Sequence, residues 1–536
     1  MRYICSFTLF MCSICSLFAC SSSDKISIDT DLKSPSSLNI ERSGSNITMY
    51  WSDNSDNETG FIISRKETYT ETETEIGKVN ANVTDYTITS GLEEGKSYTF
   101  SVKAYSTKGE SYPVSLTYKY LSNSQIPIFS ISNAKANSTC FYTYYQLNNV
   151  TVGNDMKYGL CWSSDKTPTV RDQIEYGPSS YAGNTVLQVI PNVFLDYGKS
   201  YRIRPFIVSS GGTYYGSEFT LSLENEYPAI NLSWTKLAKS SLPSEIELYE
   251  TTSQLSGHTF HAWYAIADLS TGKVEFRVNI PTKPTTIDDQ LASFNGKCYL
   301  MTNGGYFYNG THIGLGVVNS NISGNISTVR GSLKTADSEY GVLYYVTRAA
   351  FGIDHSDKPA VYWAATGDDN KTMYFFDRPL PTVKGEAKYS AITSTNPAKA
   401  INWSPKYALS GGPVLLKNGK IPFDFTNTTK GTDFYLSNYE IMPYDIFGPD
   451  VSPDRTAIGY RSDGKIILFI CDGRIAASRG ATLLELAQIM KGLGCVEAIN
   501  LDGGGSTGMA LSGEHLNDTT AGNRAVVSTV GFFKKE

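Results

Sequence analysis

Three apolar, strand-like segments of this chain run straight into paired or tripled glycines, and the polar residues at those junctions suit sugar and proton chemistry. Residues 496–501 lead into Asp502-Gly503-Gly504-Gly505-Ser506, with Asn500 just before. Residues 298–301 precede Asn303-Gly304-Gly305-Tyr306, and residues 407–409 precede Ser410-Gly411-Gly412-Pro413. Consecutive glycines are costly to order, because glycine loses more backbone freedom on folding than any other residue. They are useful where backbone must approach something closely or offer its N–H groups to a ligand. One such turn is most simply a sharp link between strands. Three of them predict a pocket floored by backbone.

Two carboxylates stand where such a pocket could use them. Residues 455–461 read as a strand, Ser462-Asp463-Gly464 as a hairpin turn, and residues 465–471 as the partner strand, ending in Asp472-Gly473-Arg474. A helix pattern at 482–493 comes next, then the strand that ends in Asp502. Strand, helix, strand is a βαβ unit, which predicts parallel strands with Asp472 and Asp502 at the same carboxyl end of one sheet. Open α/β sheets place ligands at that end. Paired carboxylates facing a pocket can cleave glycosidic bonds, one as acid and the other as base or nucleophile. Asp-Gly is also a common turn pair, so both aspartates have a purely local reading.

Glu485 has an even fuller local reading. Thr482-Leu483-Leu484-Glu485 is a capping box that satisfies backbone donors at a helix start, although that start also borders the expected pocket. Arg455, Arg479 and Arg524 are candidate partners for an anion, since guanidinium forks match phosphate oxygens. The five histidines (258, 261, 312, 355 and 515) show no helical ligand spacing. Cys140, Cys161, Cys298, Cys471 and Cys495 are scattered with no C-x-x-C pair, so neither a metal site nor a cofactor is expected. Gly504-Gly505-Ser506-Thr507-Gly508 lacks the strand-to-helix exit of a nucleophile elbow.

The rest of the chain must present these residues. Its 536 residues exceed one core, and a net charge of -6 disfavours a nucleic-acid partner. Residues 1–20 read as an export signal, basic at Arg2 and then apolar. Leu17-Phe18-Ala19-Cys20 resembles a bacterial lipobox, which implies lipidation at Cys20, attachment to a membrane and a place in the cell envelope at the outer membrane or cell surface. A polar tether is expected at 21–33. Residues 34–122 alternate short strands with turns and predict a β-sandwich resembling fibronectin type III, with Trp51 in its core. Residues 126–222 read as a second fibronectin-like sandwich and spacer. Residues 228–536 predict a mixed α/β (α+β) domain with a large twisted sheet and few helices.

From Asn303 onward the chain resembles the phosphodiester glycosidase family. The resemblance rests on Asn303-Gly304-Gly305-Tyr306-Phe307, Gly411-Gly412-Pro413-Val414-Leu415, Arg455-Thr456-Ala457-Ile458-Gly459, Asp472-Gly473-Arg474, residues 482–487, and Asn500 through Ser506. It implies hydrolysis of a sugar-1-phosphodiester, such as α-N-acetylglucosamine-1-phosphodiester or a related glycan phosphodiester, at the anomeric bond. Arg455 and the N–H groups of Gly304, Gly305, Gly411, Gly412 and Gly503 to Gly505 would then hold phosphate. Asn303, Asn500, Asp502 and the neighbouring Ser506 would meet sugar hydroxyls or a water, with Asp472 and Glu485 as acid/base candidates. The chain departs from the family pattern at Ser506-Thr507-Gly508 and in the turn through Tyr308 to His312, which bears on the accepted sugar. The competing expectation is a non-catalytic glycan-binding surface lipoprotein.

Overall fold

The computed structural model describes residues 27–43, 45–149, 156–177, 185–209, 212–322, 347–366, 372–378, 400–423, 425, 451–517 and 523–536. The expected export signal, Cys20 and the first part of the tether lie outside the described residues. The chain forms two compact units, one built on the residues up to Ile126 and the other holding most of residues 127–536.

The first unit is a β-sandwich whose strands follow the alternation of their sequence. Ile47, Met49 and Trp51 face inward from strand Asn46–Ser52, and Tyr98, Phe100, Val102 and Ala104 from Ser97–Tyr105. Side chains along a strand alternate between its faces, so every second apolar residue reaches one core. Asn46–Ser52 pairs with Ser36–Ser43 and Asp85–Ile88, while Gly60–Glu67 and Ser97–Tyr105 lie between Thr74–Asn80 and Val114–Lys119. Trp51 meets Phe61 with ring centroids 5.5 Å apart.

The second unit begins with another set of strands. Ile128–Ala136, Cys140–Asn148 and Thr185–Pro191 form one sheet, and Lys157–Ser163 pairs with Gln173–Tyr176. Trp162 is fully buried. This segment does more than space: it is bound to the C-terminal domain by buried polar contacts. Arg378 Nη1 and Glu175 Oε2 lie 2.6 Å apart with both residues buried. Asn192 donates to the Ile421 carbonyl (2.8 Å), and Lys420 donates to the Leu195 carbonyl (2.6 Å). A buried ion pair fixes its partners, because separating them strands a charge away from water.

Beyond Thr235 three sheets share one large core. The seven-stranded sheet runs Thr235–Leu237, Ile246–Thr251, Ala262–Ala267, Ile466–Cys471, Arg455–Arg461, Cys495–Asn500, Val414–Leu416. Ile466–Cys471 and Cys495–Asn500 are each antiparallel to Arg455–Arg461. They are therefore parallel to each other, as the strand-helix-strand pattern predicts, but one strand apart rather than adjacent. Asp472 and Asp502 come just after the carboxyl ends of the outer two, and Arg455 opens the middle strand at that same end. The five-stranded sheet contains Cys298–Asn303 between Thr529–Lys534 and Met509–Leu511. The six-stranded sheet contains Tyr407–Ser410 between Gly316–Val318 and Arg348–Ile353. The architecture is mostly β, with helices Ile287–Ser293 and Leu483–Gly492 among the described residues.

Helix Leu483–Gly492 carries the chain across the seven-stranded sheet, burying Leu483, Leu486, Ala487, Ile489 and Met490. Thr482 Oγ1 accepts from Glu485 N–H (3.1 Å), and Glu485 Oε2 accepts from Thr482 N–H (2.9 Å), which is the predicted capping box. A second buried pair joins two sheets. Lys417 Nζ lies 2.7 Å from Glu497 Oε1, both residues being buried, and each also bonds Val361 of strand Pro359–Thr366. Lys417→Met should lower stability by roughly 3–5 kcal/mol, because it leaves Glu497 as an uncompensated buried charge. Adding Glu497→Gln should restore part of that loss, and additive penalties in denaturant melts would exclude the coupling.

Candidate active site

The three glycine turns meet, and each comes from a different sheet. The Asn303 carboxamide is fully buried at their junction. Its Nδ2 donates to the Asp502 carbonyl (2.7 Å), while its Oδ1 accepts from Thr456 Oγ1 (2.7 Å) and Gly508 N–H (3.2 Å). Asp502 N–H donates to the Gly304 carbonyl (3.0 Å), and Gly412 N–H to the Asn500 carbonyl (2.7 Å). Asn500 Nδ2 donates to Tyr306 Oη (2.9 Å) and to the Gly412 carbonyl (2.9 Å), and Tyr306 Oη donates to that same carbonyl (2.7 Å).

This arrangement explains the glycines by close approach. A Cβ on Gly411 would overlap the Asn500 carbonyl oxygen, one on Gly305 the Ser410 carbonyl oxygen, and one on Gly304 the Ser528 hydroxyl. Their N–H groups are also occupied. Gly304 donates to the Ser528 carbonyl, Gly305 to Ser528 Oγ, Gly411 to the Ala349 carbonyl, Gly503 to Asp502 Oδ1 and Gly504 to the Asp454 carbonyl. The floor is backbone, as the sequence predicts, but these donors face protein acceptors rather than waiting for phosphate.

The charges divide into two groups. Asp502 is buried, and burial pushes its carboxyl up to about 6 against the opposing pull of the Ser506 hydroxyl, the Gly503 N–H and the charge of Arg524. Burial and the Asp502 charge raise the Tyr306 phenol to about 12, offset in part by Arg455 and Arg348. Arg455 is itself buried and pushed down to about 10 by desolvation. Its Nε donates to the Ala481 carbonyl (3.0 Å) and its Nη2 to the Val451 carbonyl (3.0 Å). On the other side of that strand, Asp472 Oδ2 lies 3.7 Å from His261 Nδ1, and His261 Nε2 lies 2.8 Å from Glu250 Oε1. Glu485 accepts from Arg479 Nη2 (2.6 Å to each oxygen), from Ser256 Oγ (2.6 Å) and from its own helix start. Those donors outweigh burial and hold its carboxyl below the usual range.

Asp502, Asn303, Asn500, Ser506 and the glycines thus form one contiguous cluster. Arg455 lies beside it, while Asp472 and Glu485 sit in separate networks. Tyr306 and Asp454 join the cluster without having been singled out from sequence. Asp454 is fully buried and receives Arg474 Nε (3.2 Å) and Nη2 (2.9 Å) on Oδ2. The adjacent charges Asp454-Arg455 ahead of an apolar strand were the available signal.

Residues 297–533 match the family model described as phosphodiester glycosidase, and residues 33–118 match that of the fibronectin type III domain. Residues 297–533 are thus similar to a phosphodiester glycosidase domain, and they follow a segment similar to a fibronectin type III domain. The mouse N-acetylglucosamine-1-phosphodiester alpha-N-acetylglucosaminidase is 44% identical over 105 residues, 20% of this chain and 19% of that protein. The SPbeta prophage-derived uncharacterized protein YomE of Bacillus subtilis is 40% identical over 82 residues, 15% of this chain and 13% of that protein. The matched stretches thus span less than a fifth of either relative's length. Among solved structures, the zebrafish N-acetylglucosamine-1-phosphodiester alpha-N-acetylglucosaminidase catalytic domain covers 57% of this chain and 89% of its own length, at 20% identity and a TM-score of 0.34.

The titration of Asp502 gives this domain a measurable signature. A carboxyl raised to about 6 when folded binds its proton more tightly than in the unfolded chain. Its contribution to stability is fully present below the unfolded value of about 3.9 and is lost as pH rises through about 6. Asp502→Asn removes that loss, so its melting temperature should gain on wild type between about pH 4 and pH 7, by the equivalent of roughly 1–3 kcal/mol. A difference constant across that range in thermal melts counts against the buried, raised carboxyl. Glu485→Gln should show the opposite trend, a penalty at neutral pH that shrinks as wild-type Glu485 protonates in acid.

Proposed function

We propose that this domain hydrolyses a sugar-1-phosphodiester at the anomeric bond, with α-linked N-acetylglucosamine the first sugar to test. The observation that carries the reading is the convergence of three glycine turns on a buried Asp502 whose proton affinity lies near neutrality. The family match and the name of the mouse protein point to the same bond.

In this reading a water attacks the anomeric carbon, gives its proton to Asp502, and the bond from that carbon to the phosphate oxygen breaks. The phosphomonoester leaves with the electron pair. It is a stable anion, so the leaving group needs little help from a general acid. Asp502 suits the base role because the Gly503 N–H bonds its ionised form while burial keeps it basic enough to accept a proton. Asn303 and Asn500 position the backbone around it, and nearby guanidinium charge favours the departing anion.

The test is release of free sugar from UDP-N-acetylglucosamine and from methyl-phosphate esters of several α-linked sugars, using protein that begins after Ser23. Wild type should release sugar, and Asp502→Asn should lose at least about a hundredfold in turnover. Activity should rise with pH through about 6, as Asp502 ionises. Binding of these compounds by wild type without any release would favour the glycan-binding alternative. We further propose attachment to the bacterial envelope through lipid on Cys20, supported by Leu17-Phe18-Ala19-Cys20. Cells expressing Cys20→Ala should incorporate no alkyne-palmitate into this chain, and labelling equal to wild type would refute the anchor.

A further inference from the structure

We infer that Arg474, held by Asp454, is the residue that recognises the phosphate of the substrate. The inference rests on the proposed phosphodiester reading and assigns its charge recognition to a different arginine from the one the sequence suggests.

Arg455 has spent two of its nitrogens on the Ala481 and Val451 carbonyls and is buried. Arg474 also commits two nitrogens, both to Asp454, but it differs from Arg455 in exposure. Its side chain remains 40% exposed, whereas Asp454 beneath it is fully buried. Asp454 Oδ2 receives both Nε and Nη2, so one carboxylate oxygen fixes the plane of the guanidinium. A planar, fixed fork is the arrangement that matches phosphate oxygens.

Its position is equally specific. A Cβ placed on Gly504 would lie 3.2 Å from Arg474 Nη2, so the guanidinium lies against the turn that carries Asp502. Gly504 N–H donates to the Asp454 carbonyl (2.9 Å), which ties the turn to the residue holding Arg474. Glycine there leaves the guanidinium face uncovered by any side chain from that position.

The backbone of Arg474 is also unusual, with φ at 59°. Residues other than glycine adopt this left-handed conformation at an energetic cost, and observed outliers of this kind concentrate at ligand and active sites. A short turn retains it, since Arg474 N–H donates to the Arg479 carbonyl (3.0 Å) and Ile475 pairs with Ser478. Arg474 also places its charge near Arg455, whose protonation it opposes. An anion beside both guanidiniums relieves that repulsion.

The experiment compares binding of α-N-acetylglucosamine 1-(methyl phosphate) with that of the neutral methyl α-N-acetylglucosaminide, by calorimetry, in wild type, Arg474→Gln and Arg474→Lys. Asp502→Asn can serve as the background if substrate turns over during titration. Wild type should favour the phosphodiester, Arg474→Gln should lose about tenfold to a hundredfold of that preference, and Arg474→Lys should restore part of it. Affinity for the neutral glycoside should stay constant across the three. A merely structural arginine would lower both affinities together, which overturns the inference. So does a wild type without preference, or an Arg474→Gln protein that keeps it. Sugar release is scored separately: preference lost in Arg474→Gln without release by wild type would sustain the phosphate site and sink the hydrolase reading. Release unaffected by Arg474→Gln would do the reverse.

Discussion

The Asn303 carboxamide is the constraint on which the site depends. It is buried where three sheets deliver their glycine turns, and it spends donor and acceptor on segments distant in sequence: Asp502, Thr456 and Gly508. A buried amide left unbonded is expensive, so each of its bonds is also a restraint. Through Asn303 the strand Cys298–Asn303 fixes the backbone of Asp502, and through Thr456 it fixes the strand that begins with Arg455. Asn500 performs the matching task on the other side, binding the Gly412 carbonyl and Tyr306. The position of the Asp502 carboxyl results from amide geometry rather than from its own turn.

Burial then supplies the chemistry. The same close packing that excludes side chains from Gly304, Gly305 and Gly411 excludes water from Asp502, and desolvation raises its proton affinity. Arg455 experiences the same desolvation with opposite sign. One cause, the tight junction of three sheets, accounts for the glycines, the raised carboxyl and the depressed guanidinium together. The buried Lys417–Glu497 pair serves that junction by holding two of the sheets in register with Val361.

The sequence displayed the elements clearly and their neighbours less so. Period-two alternation around Trp51 and Phe100 revealed the first sandwich, and Thr482 with Glu485 marked the start of a helix, because both signals are local. Asp472 and Asp502 do lie at parallel strand ends, and Arg455–Arg461 is a strand as its sequence reads, but its place between the other two was not legible, since βαβ logic does not say how many strands a crossover skips. The capping reading of Glu485 foresaw its bonds to Thr482 but not those to Arg479 and Ser256. The pairing of Asp454 with Arg474 was not legible for a similar reason: the two are twenty residues apart, and only the hairpin that carries Arg455 brings them into contact. The docking of residues 126–222 through Arg378 and Glu175 had no local signal at all.

The N–H groups of Gly304, Gly305, Gly411, Gly412, Gly503 and Gly504 are occupied, and a floor whose donors are satisfied in this way is electrostatically quiet. It keeps its shape whether or not anything lies on it. In the proposed reading, recognition falls to exposed side chains such as Arg474 and Tyr308 rather than to the floor itself. A site divided in this way separates what must stay constant for the fold from what can vary for the ligand.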